Sequence, residues 1–268
     1  AGREKEAVIL ITGDHGNVEQ MINLKTENEI EIMKEGGKIL AEILRKLEEA
    51  VKPGIATNDL EKLAGELILS YGVESSFLGF DGYPNILCTS LNDEVVHGIP
   101  SDRVLKEGDL LKIDMGILHK GFHTDSAVTV LVGNRGDSIK RNLIQTTKEA
   151  LEIGISKARA GNTLGDIGAA IQKHVEDNGF NVVRDLVGHG IGRELHEPPQ
   201  VLNYGKAGQG EKLMAGMVIA IEPMVVTGKW NIKNSKDGYA FVTKDGGLAA
   251  HFEHTVAITE SGPEILTK

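Results

Sequence analysis

The chain has 268 residues, enough to bury one large core or two modest ones without staples. Its net charge of −10 argues against the basic face that DNA binding needs, and its single cysteine, Cys88, excludes an internal disulfide and a cysteine-built zinc site. No apolar run approaches the length of a membrane span, and no basic-then-apolar leader reads as a secretory signal, so a reduced cytoplasmic setting is expected.

At the start, "LITGDHGNVEQM" joins an apolar run, Val8 to Ile11, to Asp14 and His15, two common metal ligands. Met21 then opens a segment that makes a sensible beginning by itself. Thr26 and Glu29 have the spacing of a capping box, and Ile30, Met33, Ile39, Ile43, Leu44 and Leu47 keep helical spacing until Pro53-Gly54. Thr57 starts a second helix that ends at Tyr71-Gly72. Strand-like runs follow: "NILCTSL", "LLKIDMGIL" and "FHTDSAVTVLV". A third helix fits Ser138 to Ala158, and a fourth runs from near Thr163 to Asn178-Gly179. The remainder carries β signals in "NVVRDLVG", "MVIAIEPMVV", "YAFVTK" and "HTVAIT". Gly54, Asp59, Leu60 and Gly72 recur 107 residues later as Gly161, Asp166, Ile167 and Gly179. The echo suggests two related α+β halves that share a core and enclose a site.

The chemistry concentrates in carboxylates. Asp114 and Asp125 lie in two apolar runs joined by the short link "LHKGF". A hairpin centred between His119 and Lys120 would set them opposite or nearly so, with Cβ atoms about 4.5–5.5 Å apart. Two buried anions that close need a shared proton or a cation between them. "LVGHGIGRELHEPP" sets His189 between glycines, which leave it room to project into a cleft. Glu222 ends the apolar run "VIAIEPM", and Glu253 sits in "LAAHFEHTVAIT" beside His251, which is expected to line the cleft. Buried glutamates in strand runs are unusual unless paired. Two aspartates, two glutamates and one imidazole suit a pair of divalent first-row ions.

"NDEVVHGIP", "KIDMGILHKGFHTDSA", "GHGIGRELHEPPQV", "IEPM" and "FEHTVAIT" resemble, in order and spacing, the signature segments of type I methionine aminopeptidases. The resemblance runs from about Met21 to the end. It implies the α+β pita-bread (creatinase/aminopeptidase-like) fold, with two pseudo-symmetric halves around a dinuclear metal site. It implies a catalytic domain over 21–268, with 1–20 as a non-catalytic leader or fusion remnant. It implies removal of the initiator methionine from nascent polypeptides when the next residue is small.

Carried over by position, the resemblance implies two divalent ions (Co, Mn, Fe, Zn or Ni) held by Asp114, Asp125, His189, Glu222 and Glu253, with Asp125 and Glu253 bridging. A bridging hydroxide would attack the scissile carbonyl. Glu222 would shuttle the proton, His196 would steady the oxyanion, and His97 would bond the substrate backbone beyond the scissile bond. Phe77, Phe80, Tyr83 and Cys88 fall in the family's methionine pocket, with Leu195 and Trp230 as its other walls. Leu195 stands where the family commonly has an aromatic, and Phe77 where it often has a small or sulfur-bearing residue. The family also implies ribosome contact, and a monomer is expected.

Three other readings compete. Proline-directed peptidases of the same fold carry a large N-terminal domain and usually read "EPG" where this chain has Glu222-Pro223-Met224. A non-catalytic binding protein on the scaffold should lack some ligands, yet all five are present. "TGDHGN" resembles a metal-binding segment of cofactor-independent phosphoglycerate mutase, over about Val8 to Met21 only.

Overall fold

The computed structural model describes residues 8–9 and 22–268. Asp14 and His15 lie outside the described residues. Val8–Ile9 pairs antiparallel with Ile22–Asn23.

Among the described residues, four α-helices carry the outer layer. Helix α1, Glu27–Ala50, opens with the expected capping box: Glu29 N–H donates to Thr26 Oγ1 (3.3 Å) and Thr26 N–H to Glu29 Oε2 (2.9 Å). Helix α2 is Thr57–Tyr71, α3 Ser138–Lys157 and α4 Leu164–Asp177. The 107-residue echo is structural. Gly54 and Gly161 both turn with positive φ (97° and 92°), and Gly72 and Gly179 do so after α2 and α4 (65° and 79°). Asp59 accepts the N–H of Ala56, and Asp166 that of Thr163, so each carboxylate satisfies an otherwise unpaired group at its helix start. Leu60 and Ile167 sit at matching places in two cores.

Those cores are separate, which corrects the expectation of a shared one. Leu40, Leu47, Leu60 and Ala64 of α1 and α2 pack on Leu111, Ile113, Met115 and Ile117. Leu151, Ile155, Ile167 and Ile171 of α3 and α4 pack on Ile219, Ile221, Val256 and Ile258. Each helix pair covers mainly the strands of its own half; the halves meet through the sheet and through a small third cluster that packs Ile30 and Met33 of α1 on Val218 and Ala257.

That sheet has nine strands. Its main path runs Glu197–Val201, Gly188–Gly190, Val218–Ile221, Glu253–Thr259, Phe122–Leu131, Leu110–His119 and Glu74–Ser75; Gly262–Ile265 and Cys88–Leu91 pair alongside. The seam between halves is the pairing Glu253↔Ala127 and His254↔Ser126. Side-chain hydroxyls fasten it. Thr255 Oγ1 donates to the Asp125 carbonyl (2.8 Å) and accepts the Asp125 N–H (2.9 Å), while Ser126 Oγ donates to the Glu253 carbonyl (2.7 Å).

Two strand expectations change. "MVIAIEPMVV" breaks at Glu222-Pro223 into Val218–Ile221 and Met224–Val226, because Pro223 has no N–H for a ladder. "NVVRDLVG" yields only Asn181–Val182 before the strand Gly188–Gly190. The hairpin register also differs. Lys120 and Gly121 both have positive φ (48° and 83°), the requirement of a two-residue type I′ turn, so His119 pairs with Phe122 and Asp114 with Ala127. Asp114 and Asp125 are therefore diagonal neighbours on one face, not directly opposite.

Candidate metal centre and peptide cleft

Along Leu110–His119 the odd positions feed the α1/α2 core, so alternation turns Lys112, Asp114 and Gly116 to the other face. Asp114 is in line with Ala127 and, across the seam, with Glu253. Ala127 is the small residue between two carboxylates, and Asp125 stands two residues before it on the same face. Glu222 follows Val218–Ile221 directly and lies 108 residues after Asp114, so each half delivers one acid from a strand run, Asp114 from mid-strand and Glu222 from just past a strand end.

The five expected ligands converge. Ligand atoms of Asp125, His189 and Glu253 lie within 4.8 Å of one another. His189 Nε2 is 3.6 Å from Glu222 Oε1. Among the neighbouring charges, the Asp125 carboxylate presses hardest on Asp114. Asp114, Asp125 and Glu253 are at most 7 % exposed. Burial first, then the neighbouring carboxylates, pushes Asp114, Glu222 and Glu253 well above the usual carboxyl range. Burial pushes Asp125 up as well, against the hydrogen bond from the Ser126 backbone. His189 Nδ1 faces the Gly190 carbonyl at 2.8 Å. A carbonyl only accepts, so Nδ1 carries the proton and the Nε2 lone pair points at the acids. Burial lowers the pKa of His189 to about 3, which keeps that lone pair free.

The donor set fits divalent cations. Asp114 Oδ1, Asp125 Oδ1 and Glu253 Oε1 are buried with no hydrogen-bond partner in the protein. Such oxygens are costly to leave bare, and a hard cation among them removes both the bareness and the repulsion.

Above the acids lies a cavity of about 290 Å³. Phe77, Phe80, Tyr83, Cys88, Leu195, His97 and His196 all line it. Trp230 does not: its ring lies under the Arg184 guanidinium, 5.3 Å from the centroid. The aromatic supplied by the hairpin that follows it, Ile232–Asn234 paired with Phe241–Thr243, is Tyr239, which lines the cavity, packs edge-on to Tyr83 at 5.8 Å, and donates its hydroxyl to the Gly82 carbonyl (3.1 Å). Phe241, also unforeseen, lines the cavity against the His97 ring at 5.8 Å. Either could have been found from "GYAF", whose aromatics lie on the hairpin that follows Trp230. Their long-range partners could not.

Local backbone explains several placements. Gly116 has no room for a Cβ, which would meet Ser76 and the Phe77 ring within about 3 Å, so its bare backbone admits Phe77 to the cavity. His97 holds φ at +59°, an uncommon conformation for a side-chain-bearing residue, and presents its imidazole to the cavity. His196 packs edge-on against Phe80 (5.0 Å) and His189 (4.3 Å) on the open side. His251 is 1 % exposed, and its Nε2 lies 3.9 Å from both Glu222 Oε2 and Glu253 Oε2.

The loop bearing Leu195 and His196 is anchored from below. Lys25 donates to Glu197 Oε2 at 2.5 Å, both side chains being at most 5 % exposed, and Glu197 Oε1 accepts the Glu194 N–H (3.2 Å). Lys25→Met strands a buried carboxylate and is expected to destabilise the chain by about 3–5 kcal/mol. Urea unfolding reads this, and an unchanged midpoint would contradict it.

Comparison with known proteins places this geometry among relatives. The family model described as "Metallopeptidase family M24" matches residues 31–260. A curated methionine aminopeptidase of Clostridium perfringens is 52% identical over 92% of this chain and 99% of its own length. The crystal structure of a methionine aminopeptidase from Thermotoga maritima superposes with a TM-score of 0.91 at 47% identity, covering 92% of this chain and all of that one. A prolidase from Pyrococcus furiosus shares the architecture at TM-score 0.74 and 25% identity, with 65% of its length covered. The pita-bread expectation is borne out by these neighbours. They lend no support to the phosphoglycerate mutase resemblance of residues 8–21.

Proposed function

The chain belongs to the methionine aminopeptidases of metallopeptidase family M24, and from that membership we propose that it removes the initiator methionine from nascent polypeptides whose second residue is small. The observation that carries this is a single cavity with convergent buried acids at its floor and Phe77, Tyr83 and Leu195 on its walls. Its volume is at the small end for ligand sites, which suits one apolar side chain and the reacting groups.

Asp114, Asp125, His189, Glu222 and Glu253 hold the metal; a pair of divalent ions supplies Lewis acidity and a water of lowered pKa when bound. Asp125 and Glu253, neighbours across the seam with His189 close by, would be central among the residues that hold the metal. Glu222, raised in pKa by burial, accepts a proton from the attacking water and delivers it to the leaving amine. His196, on the open side, donates to the developing oxyanion. His97 bonds the peptide backbone beyond the scissile bond. Phe77, Phe80, Tyr83, Cys88, Leu195 and Tyr239 grip the methionine, whose thioether suits aromatic walls. Such substrates place the work in the cytoplasm near the ribosome, and the chain acts there as a monomer. Residues 21–268 are the catalytic domain, with 1–20 dispensable.

The test is release of Met from Met-Gly and Met-Ala peptides after adding Mn²⁺, Fe²⁺ or Co²⁺ to chelator-stripped protein. Turnover is expected, equally in a chain begun at Met21. Cleavage of Xaa-Pro dipeptides instead would favour a proline-directed peptidase. No turnover with any ion would leave only a binding scaffold.

A further inference from the structure

Lys112 heads the large, wholly buried side chains, at 1 % exposure. It shares the inner face of Leu110–His119 with Asp114, two residues on. The oxygens its ammonium reaches are two backbone carbonyls, Asn92 at 3.0 Å and Ala249 at 3.2 Å. Burying an ammonium is costly unless its protons are accepted, and these two carbonyls accept them.

Both carbonyls lie at a junction. The Ala249 N–H donates to the Asn92 carbonyl (2.9 Å), so these two segments already touch. Asn92 leads through the strand Glu94–Val96 to His97. Ala249 opens the strand Ala249–His251, which places His251 in the cavity and continues two residues on to Glu253. Lys112 itself leads to Asp114. Three segments that each end in a cavity group therefore meet at one ammonium, and they come from both halves.

We propose that Lys112 is an internal cation, tethered by its own chain, that ties the Asn92 and Ala249 carbonyls together and so positions Asp114, His97 and Glu253 for the metal and the peptide. It is a positioning residue, touching neither. Positive charge, not bulk, is what two convergent carbonyl oxygens select.

The inference rests on the metal-site reading, so the primary readout is Co²⁺ binding by calorimetry, not turnover. Wild type failing to bind Co²⁺ would sink that reading itself. If wild type binds, Lys112→Ala should fold by circular dichroism yet bind Co²⁺ about 10–100-fold more weakly, as for loss of a partner behind a ligand. Ammonium or methylammonium should restore affinity by entering the space left, while neutral methanol or formamide should not. Lys112→Gln, near in size and uncharged, should be as impaired as Lys112→Ala, and decides the matter should the latter not fold. Wild-type Co²⁺ affinity in Lys112→Gln, or no recovery of folded Lys112→Ala by either cation, would overturn the proposal.

Discussion

Glu222→Gln should leave a folded chain whose kcat for Met-Gly peptides is lower by roughly 10²–10⁴-fold, the usual range for removing a general acid–base group. The amide matches the carboxylate in shape but cannot carry a proton from the attacking water to the leaving amine. Glu222 suits that task because burial and the charges of Asp125 and Asp114 raise its pKa, so the proton it takes is held strongly enough to be passed on. It also lies beside His189 as a ligand, so the substitution weakens metal binding too. The two effects separate at saturating Mn²⁺: a loss of metal affinity alone disappears there, whereas a loss of proton transfer persists in kcat. A kcat within tenfold of wild type at saturating metal would remove Glu222 from the proton path.

Metal removal should make the chain less stable, and more so as pH rises. The sign follows from the carboxyl groups. Unfolded Asp and Glu titrate near pH 4, whereas Asp114, Glu222 and Glu253 in the fold are held well above that. A raised folded value means that the fold binds protons more tightly than the unfolded chain. The stability this gives is fully present below the unfolded value and is lost as pH climbs through the folded ones. His189 and His251 act the other way, with folded values near 3. Their contribution changes only below about pH 6.5, where unfolded histidine begins to charge. Above that pH the raised carboxylates pull stability down, opposed in part by buried Lys112, whose lowered folded value acts with the opposite sign.

A divalent ion takes the place of those protons. One ion at a hundred times its dissociation constant adds about 2.7 kcal/mol. For a chain of this size that corresponds to roughly 5–10 °C in Tm, at about 2–4 °C per kcal/mol. Calorimetry between pH 6.5 and 9, with chelator or Mn²⁺, should show a falling Tm in chelator and a metal increment that grows with pH. In chelator at high pH, Asp114→Asn should melt above wild type, since it removes one of the crowded charges. A Tm that rises with pH in chelator would mean the acids are not strained against one another.

Much of this was legible in the sequence because it is local or periodic. The Thr26–Glu29 box needs only a spacing of three, and the glycine and aspartate echo fixed both helix pairs before any contact was known. Four of the five ligand candidates stood out because acids rarely interrupt apolar strands, and His189 because glycines flank it. What escaped depends on pairing across distance. The register of the Asp114–Asp125 hairpin is set by which residues take positive φ, and Lys120-Gly121 is a weaker signal than Asn-Gly. Trp230 and Tyr239 lie on the same irregular stretch, and composition alone does not say which one turns inward. Lys112 reads as an ordinary strand lysine until Ala249, 137 residues away, is seen beside it.

The seam between the halves has a further consequence. Glu253 reaches Asp125 only because Glu253–Thr259 and Phe122–Leu131 are matched in one particular alignment, Glu253 with Ala127 and His254 with Ser126. Side chains alternate along a strand, so a slide of a single residue would swing Glu253 to the opposite surface and put His254 in its place. The hydroxyls of Thr255 and Ser126 act as dowels against that slide, each bonded to the backbone of the opposite strand beside a ligand. Two residues with no part in the chemistry thereby decide whether the acids ever share an ion.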